Sequence, residues 1–344
     1  LDSVDRQLLD LLQESVPLVP RPFAALGQAL GVSEDEALSR TRRLKEEIIR
    51  QIGPIFSSRR LGYQSTLAAF HVIPERLEQV AARASRHPGV SHNYARNHHY
   101  NLWFTLTLPP DQDLDVEIAR LAAESGVSDV LNLPSLRRFK LGVHFRMSEG
   151  ESRSHPDAAA RGRCGPATLT DFERDVVRVL QGDLPLEPRP FERAAAKLGV
   201  TEERLLEAAR DLDRRGVMRR FSAVLRHRQA GFIANGMACW VAPQARIVEA
   251  GQTAATFPEV SHCYQRPTYP PRWPYNLFTM VHGRTRDEVE STVERIHREI
   301  GPLEHTILYS EREFKKQRVR YFTESASEPD WSKPDPLCGE KEHS

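Results

Sequence analysis

Pro88-Gly89-Val90-Ser91-His92-Asn93-Tyr94-Ala95-Arg96 and Pro258-Glu259-Val260-Ser261-His262-Cys263-Tyr264-Gln265-Arg266 are one motif written twice. Upstream, Arg21-Pro22-Phe23 and Leu30-Gly31-Val32 return as Arg189-Pro190-Phe191 and Leu198-Gly199-Val200; downstream, Tyr100-Asn101-Leu102 returns as Tyr275-Asn276-Leu277. Identities kept in one order over most of two half-chains make this an internal duplication, so each half must fold as the same unit.

Around the motif the chain alternates between strand and helix. In the first copy the pattern predicts strands at 64–73, 90–97, 100–108 and 128–136, with helices near 75–86 and 113–125. That order, βαββαβ, is the ferredoxin-like split motif. Arg137 to Met147 and its counterpart near Glu313 to Phe322 read as an added strand extending the sheet. Ahead of this unit, Val4, Leu8, Leu11 and Leu12 share a helical face, as do Val176, Val177 and Leu180. A short helix from Phe23 ends at Gly31, and Ser33, three residues before Glu36, opens another through a capping box; Thr201 holds that place in the second copy. Helix, glycine turn and capped helix form a helix-turn-helix, and Ile48–Arg60 and Val217–Arg228 suit the two strands of a wing.

The expected fold is therefore α+β, a tandem of winged helix-turn-helix and ferredoxin-like domains. Its expected limits are 1–60 and 61–147, a Ser/Ala/Gly/Arg-rich linker at 148–168, then 169–229 and 230–323, with a polar tail from 324.

Forty-eight Lys and Arg against 47 Asp and Glu leave a net charge of +1, so any anion site must be local. Cys164, Cys239, Cys263 and Cys338 form no C-x-x-C pair, which argues against a zinc knuckle or a disulfide framework. The opening Leu1-Asp2-Ser3-Val4-Asp5-Arg6 is acidic and amphipathic, and no apolar run approaches the ~20 residues of a membrane span. A cytoplasmic location without membrane attachment is expected.

A helix-turn-helix invites a DNA-binding reading. The recognition helices of that reading, however, open with Ser33-Glu34-Asp35-Glu36 and Thr201-Glu202-Glu203, which favour the helix dipole but repel phosphate. Arg40, Arg42, Arg43 and Arg210 come later, where a solvated helix face is the simpler reading. DNA is not expected as a partner.

Side chains two apart on a strand share a face, so His92, Tyr94, Arg96 and His98 are expected on one side of a strand, with His262, Tyr264 and Arg266 repeating the set. Imidazole, phenol and guanidinium together suit a ligand with several carboxylates, which Arg grips bidentately. The alternative is an ordinary polar sheet face. Arg59, Arg60, His227 and Arg228, at the wing ends, either extend this site or are solvated strand ends. The copies differ in the following hairpin: His98-His99 against the proline-rich Pro267-Thr268-Tyr269-Pro270-Pro271. Imidazole titrates near neutrality, so acid–base work is assigned to the first copy, on His98 and His99, with a structural turn or a metal ligand as the competing roles. Trp103, Phe104, Trp273 and Phe278 could cover a flat ligand or fill a core. Cys263 is expected to point away from the His262 face.

Leu61-Gly62-Tyr63, Val90-Ser91-His92-Asn93-Tyr94, Tyr100-Asn101-Leu102-Trp103-Phe104-Thr105 and Pro274-Tyr275-Asn276-Leu277-Phe278-Thr279-Met280-Val281-His282-Gly283 resemble the siroheme decarboxylases, relatives in fold of Lrp/AsnC regulators. The resemblance spans both halves and looks like a fusion of two subunit types, which implies an internal pseudo-dimer and leaves further oligomerisation open. It implies loss of CO₂ from the C12 and C18 acetates of siroheme, giving 12,18-didecarboxysiroheme for heme d1 or for an alternative heme route. No cofactor beyond the iron-containing substrate and no protein-bound metal are implied. On this reading Arg96, Arg59 and Arg60 clamp carboxylates, His98 or His99 returns the proton, and His92, Tyr94, Tyr100, Asn101, Trp103, His227, Arg228, His262, Tyr264, Arg266, Tyr275 and Asn276 hold the substrate. A non-catalytic tetrapyrrole sensor and an Lrp/AsnC-like regulator are the competing functions.

Overall fold

The computed structural model describes residues 1–141, 165–225 and 234–323. Most of the expected linker, the tail, the strand continuation over 142–147, His227, Arg228, Cys164 and Cys338 lie outside the described residues.

The leading helices form as their patterns require. α1 (Ser3–Glu14) starts at an Asp2/Asp5 capping box and buries Leu8, Leu9 and Leu12. α2 (Pro22–Leu30) begins with proline and stops at Gly31, whose φ of 71° is the left-handed cap that glycine adopts without strain. α3 (Glu34–Glu47) is capped by Ser33, which accepts from the Glu36 amide. The reciprocal half of the expected box is absent, because the Glu36 carboxylate pairs with Arg40 instead. In the second copy the same three elements are α6 (Asp171–Leu180), α7 (Glu192–Lys197) and α8 (Glu202–Arg214).

Among the described residues each copy supplies one wing strand, where two were expected. β1 (Ile49–Phe56) and β7 (Met218–Leu225) pair antiparallel with each other, Ile52 opposite Ala223. A lone two-stranded hairpin is marginal in water; the shared ribbon instead buries Ile49, Ile52, Met218 and Phe221 in one core with the helices of both copies. The copies are also stapled reciprocally: Arg42 of α3 donates to Leu186 O (2.7 Å), and Arg210 of α8 donates to Leu18 O (3.1 Å).

The second layer follows the expected order closely. The first copy gives β2 (Gln64–Phe70), α4 (Leu77–Arg86), β3 (Val90–Arg96), β4 (Leu102–Leu108), α5 (Leu114–Ser125), β5 (Val130–Pro134) and β6 (Arg137–Leu141). The second gives β8 (Ala234–Trp240), α9 (Ile247–Thr256), β9 (Val260–Gln265), β10 (Leu277–Gly283), α10 (Arg286–Ile300) and the long β11 (His305–Lys316). The strand order β5-β2-β4-β3-β11-β8-β10-β9-β6 contains two ferredoxin-like sheets. The added strands extend the sheet of the opposite copy: β6 pairs with β9, and the far half of β11 pairs with β3. Each exchange covers an otherwise open sheet edge.

The helices pack on the outer faces, in separate cores for the two copies. The inner faces meet over Trp103, Leu131, Leu133, Met237, Trp273, Phe278 and Leu308, drawn from both copies. The copies are thus an internal pseudo-dimer joined by strand exchange. None of the helices is long and apolar enough to cross a membrane among the described residues.

Candidate active site

Alternation along β3 turns Asn93 to the helix side, where its amide donates to Ala81 O, and sends His92, Tyr94 and Arg96 the other way. β9 repeats this. Cys263 bonds Gly251 O on the helix side, while His262, Tyr264 and Arg266 face inward. Both triads line one cavity of about 2000 Å³ between the sheets and the wing ribbon, larger than the roughly 300–1,000 Å³ of ordinary ligand pockets. Among the described lining residues, eleven Arg or Lys stand against two Glu, so a chain of near-zero net charge carries a concentrated cationic chamber.

Two arginines dominate it. Arg96 is buried, donates from Nη1 to Leu308 O at 2.9 Å, and lies 5.8 Å from the centre of the Tyr94 ring. Arg266 mirrors it, donating to Leu133 O and lying over Tyr264 at 5.0 Å and Phe278 at 5.5 Å. In both, Nε is buried without a hydrogen-bond partner. Burial pulls both guanidinium groups down to about 10, still cationic at neutral pH. A buried cation with unmet donors is costly unless an anion joins it; a carboxylate meets both needs through a two-pronged hydrogen bond.

The phenols of Tyr94 and Tyr264 are pushed up by burial and remain neutral donors. Burial first, then Lys316 and Arg50, pushes His92 down to about 4, so its imidazole is uncharged at neutral pH. Its Nδ1 lies 2.9 Å from Ser91 Oγ. Trp103 lines the wall with its indole N–H bonded to Tyr100 O at 2.6 Å, and Phe278 takes the equivalent place in the second copy.

Residues 60–140 and 229–315 match the family described as AsnC-like ligand binding domain, and residues 5–50 and 173–219 the siroheme decarboxylase NirDL-like HTH domain. A siroheme decarboxylase of Hydrogenobacter thermophilus is 43% identical over 320 residues, 92% of this chain and 95% of that protein. The chain belongs to the siroheme decarboxylase family. The siroheme decarboxylase alpha subunit of Desulfovibrio desulfuricans is 46% identical over 148 residues, 43% of this chain and 85% of its own. A crystal structure of the siroheme decarboxylase NirDL in complex with an iron-uroporphyrin III analogue aligns with a TM-score of 0.74 and 39% identity, covering 94% of this chain and 95% of that one.

Within this member of the siroheme decarboxylase family, Arg59, Arg60, His92, Tyr94, Arg96, Trp103, His262, Tyr264 and Arg266 all line the chamber. His98 and His99 do not. β3 ends at Arg96, where the His98 amide bonds back to Arg96 O at 2.9 Å, so the two-residue alternation stops before it reaches His98. His98 lies edge-on to Trp273 at 5.4 Å. His99 is exposed, stacks on His71 at 3.9 Å and pairs with Asp129 at 2.9 Å. Tyr100 is buried with its hydroxyl on the same Asp129. Asn101 bonds both the amide and carbonyl of Val72, and Asn276 does the same to Ala242, so the repeated Asn is a backbone clamp; Tyr275 packs on Trp273. Arg60 reaches the chamber but spends donors on Gly165 O and Arg215 O. Among the described residues no three His, Cys, Asp or Glu side chains cluster as a metal site.

Sequence reasoning missed Arg137, Arg138, Arg219, Arg220 and Arg318, all on the chamber wall. The signal was present as Arg-Arg pairs within strand-forming stretches, one in the added strand and one in the wing.

Proposed function

We propose that this chain is a siroheme decarboxylase that removes CO₂ from the C12 and C18 acetates of siroheme and yields 12,18-didecarboxysiroheme, on a route to heme d1 or heme. The observation that carries the reading is the pair Arg96 and Arg266, each with a buried, unmet Nε donor in a chamber able to hold a flat poly-acid.

In this reading Arg96, Arg266 and the wall arginines hold the carboxylates that stay, and Trp103 and Phe278 offer apolar surface to the macrocycle. When the reacting C–C bond breaks, the electron pair remains on the methylene carbon, where the conjugated ring spreads it, and CO₂ leaves. A protein group must then return one proton. His92 and His262 stand in the chamber for that task; His98 and His99 do not. Exclusion of water around the reacting carboxylate destabilises its charge and favours CO₂ loss.

Anaerobic incubation with siroheme followed by mass spectrometry tests the proposal: the product is expected to be lighter by two CO₂. Tight binding with unchanged mass would make the protein a tetrapyrrole sensor instead. A salt-sensitive shift with promoter DNA would favour the regulator, against which stands the engagement of Arg42 and Arg210 by backbone carbonyls of the opposite copy.

A further inference from the structure

The second copy carries a hydrogen-bond chain that the first does not repeat. His282 on β10 places Nδ1 2.5 Å from Asn235 Oδ1 on β8 and Nε2 2.6 Å from Ser261 Oγ on β9. Ser261 Oγ in turn lies 2.7 Å from His262 Nδ1. All four residues line the chamber. At the matching cross-strand place in the first copy, Ser65 opposite Thr107, the two hydroxyls bond each other at 2.9 Å. There, among the described residues, the Ser91 hydroxyl is bonded to His92 alone.

The chain has a direction. A carboxamide oxygen only accepts, so His282 must carry a proton on Nδ1. With His282 neutral, its Nε2 at 2.6 Å takes the Ser261 hydroxyl proton in preference to Met280 O at 3.4 Å, and the Ser261 oxygen then accepts from His262 Nδ1–H. We propose that His282 is a positioning residue which, through Ser261, holds the His262 proton on Nδ1 and so makes Nε2 the atom that takes up and gives back a proton. This rests on the decarboxylase reading and deepens it: the second copy, rather than the first, supplies the proton.

The balance is simple. His262, loaded at Nε2 from water, gives that proton to the methylene carbon as CO₂ departs, and returns to the neutral form with Nδ1–H still on Ser261. None of the bonds in the chain has to reverse. His92, with no fixed acceptor beyond Ser91 among the described residues, has no such preset tautomer.

The test uses the full chain and two readouts. In protein labelled with ¹⁵N at histidine, the His262 Nδ1 signal is expected in the protonated range and Nε2 in the unprotonated range. His282→Leu should scramble them, whereas His282→Gln, whose carbonyl accepts from Ser261 and whose amide donates to Asn235, should keep them. In turnover, His282→Leu should lower kcat about tenfold and displace its pH profile while siroheme binding changes by less than about twofold; His282→Gln should stay within about threefold of the parent. If His282→Leu does not fold, His282→Thr, which copies the first half's Thr107, replaces it. An unaltered tautomer pattern in the folded Leu or Thr variant overturns the inference, as does a Gln variant as slow as Leu. Should the parent protein release no CO₂, the decarboxylase reading fails, and the ¹⁵N pattern alone decides the hydrogen-bond chain.

Discussion

Arg96 and Arg266 each reach across the boundary between the copies, one to Leu308 O and the other to Leu133 O, so the two groups proposed to grip carboxylates also bond from one copy to the other. Their cost to folding and their use in binding are separable. Arg96→Met removes a buried, half-met charge, and such replacements by an apolar side chain are often neutral or stabilising. The melting temperature should therefore stay within a few degrees of the parent, while siroheme binding, read by absorbance titration, weakens by about 2–5 kcal/mol. A variant that melts far lower yet binds normally would reverse this assignment.

A second expectation concerns acid. His92 sits at about 4 against an ordinary 6.5, chiefly because it is buried. The unfolded chain then binds a proton that the folded one refuses between those values. Stability is complete above about pH 6.5 and declines as the pH falls toward 4, by about 3 kcal/mol in all for this one group. His92→Gln should flatten that part of a urea-denaturation series; an unchanged slope would mean that His92 is not the group responsible.

The paired histidines give a third. Replacing His98 and His99 together with Ala should leave turnover within a few-fold of the parent, since neither ring lines the chamber. Loss of the exposed His99–Asp129 pair should cost no more than ~1 kcal/mol of stability. Abolished turnover with substrate still bound would restore them as the proton source.

Strand exchange supplies the fourth. A side chain at Gly251 on α9 would overlap the ring of Phe139, carried on β6 from the other copy. Gly251→Val should destabilise by about 1–3 kcal/mol through overpacking. Adding Phe139→Ala should recover part of that loss, so the double variant falls short of the sum by ~1 kcal/mol or more. Strict additivity in thermal melts would show that the two residues do not meet.

Local pattern made much of this legible. The alternation from Val90 to Arg96, the Gly31 stop and the Ser33 cap each act within a few residues, and the structure has them where the pattern put them. Partner choice was not legible. Nothing near Ile52 says that it will face Ala223, nor near Leu141 that it will lie opposite His262, because edge strands take whichever complementary edge the tertiary fold presents. The site suffered likewise. Extending the alternation past Arg96 to His98 ignored the hairpin that reverses the chain there, and Arg219 and Arg318 reach the chamber only because the wing ribbon and the segment after β11 close over it.

β11 follows β8, β9 and β10 of the second copy, yet its residues 310–316 are what pair with β3 of the first. During synthesis the first copy must therefore wait, with a bare row of amides and carbonyls along Val90–Arg96, until the second copy has been made. Such an interval exposes a template on which a neighbouring nascent chain can add its own strand. Chains cut short before Lys316 are accordingly the ones to watch for clumping in the cell.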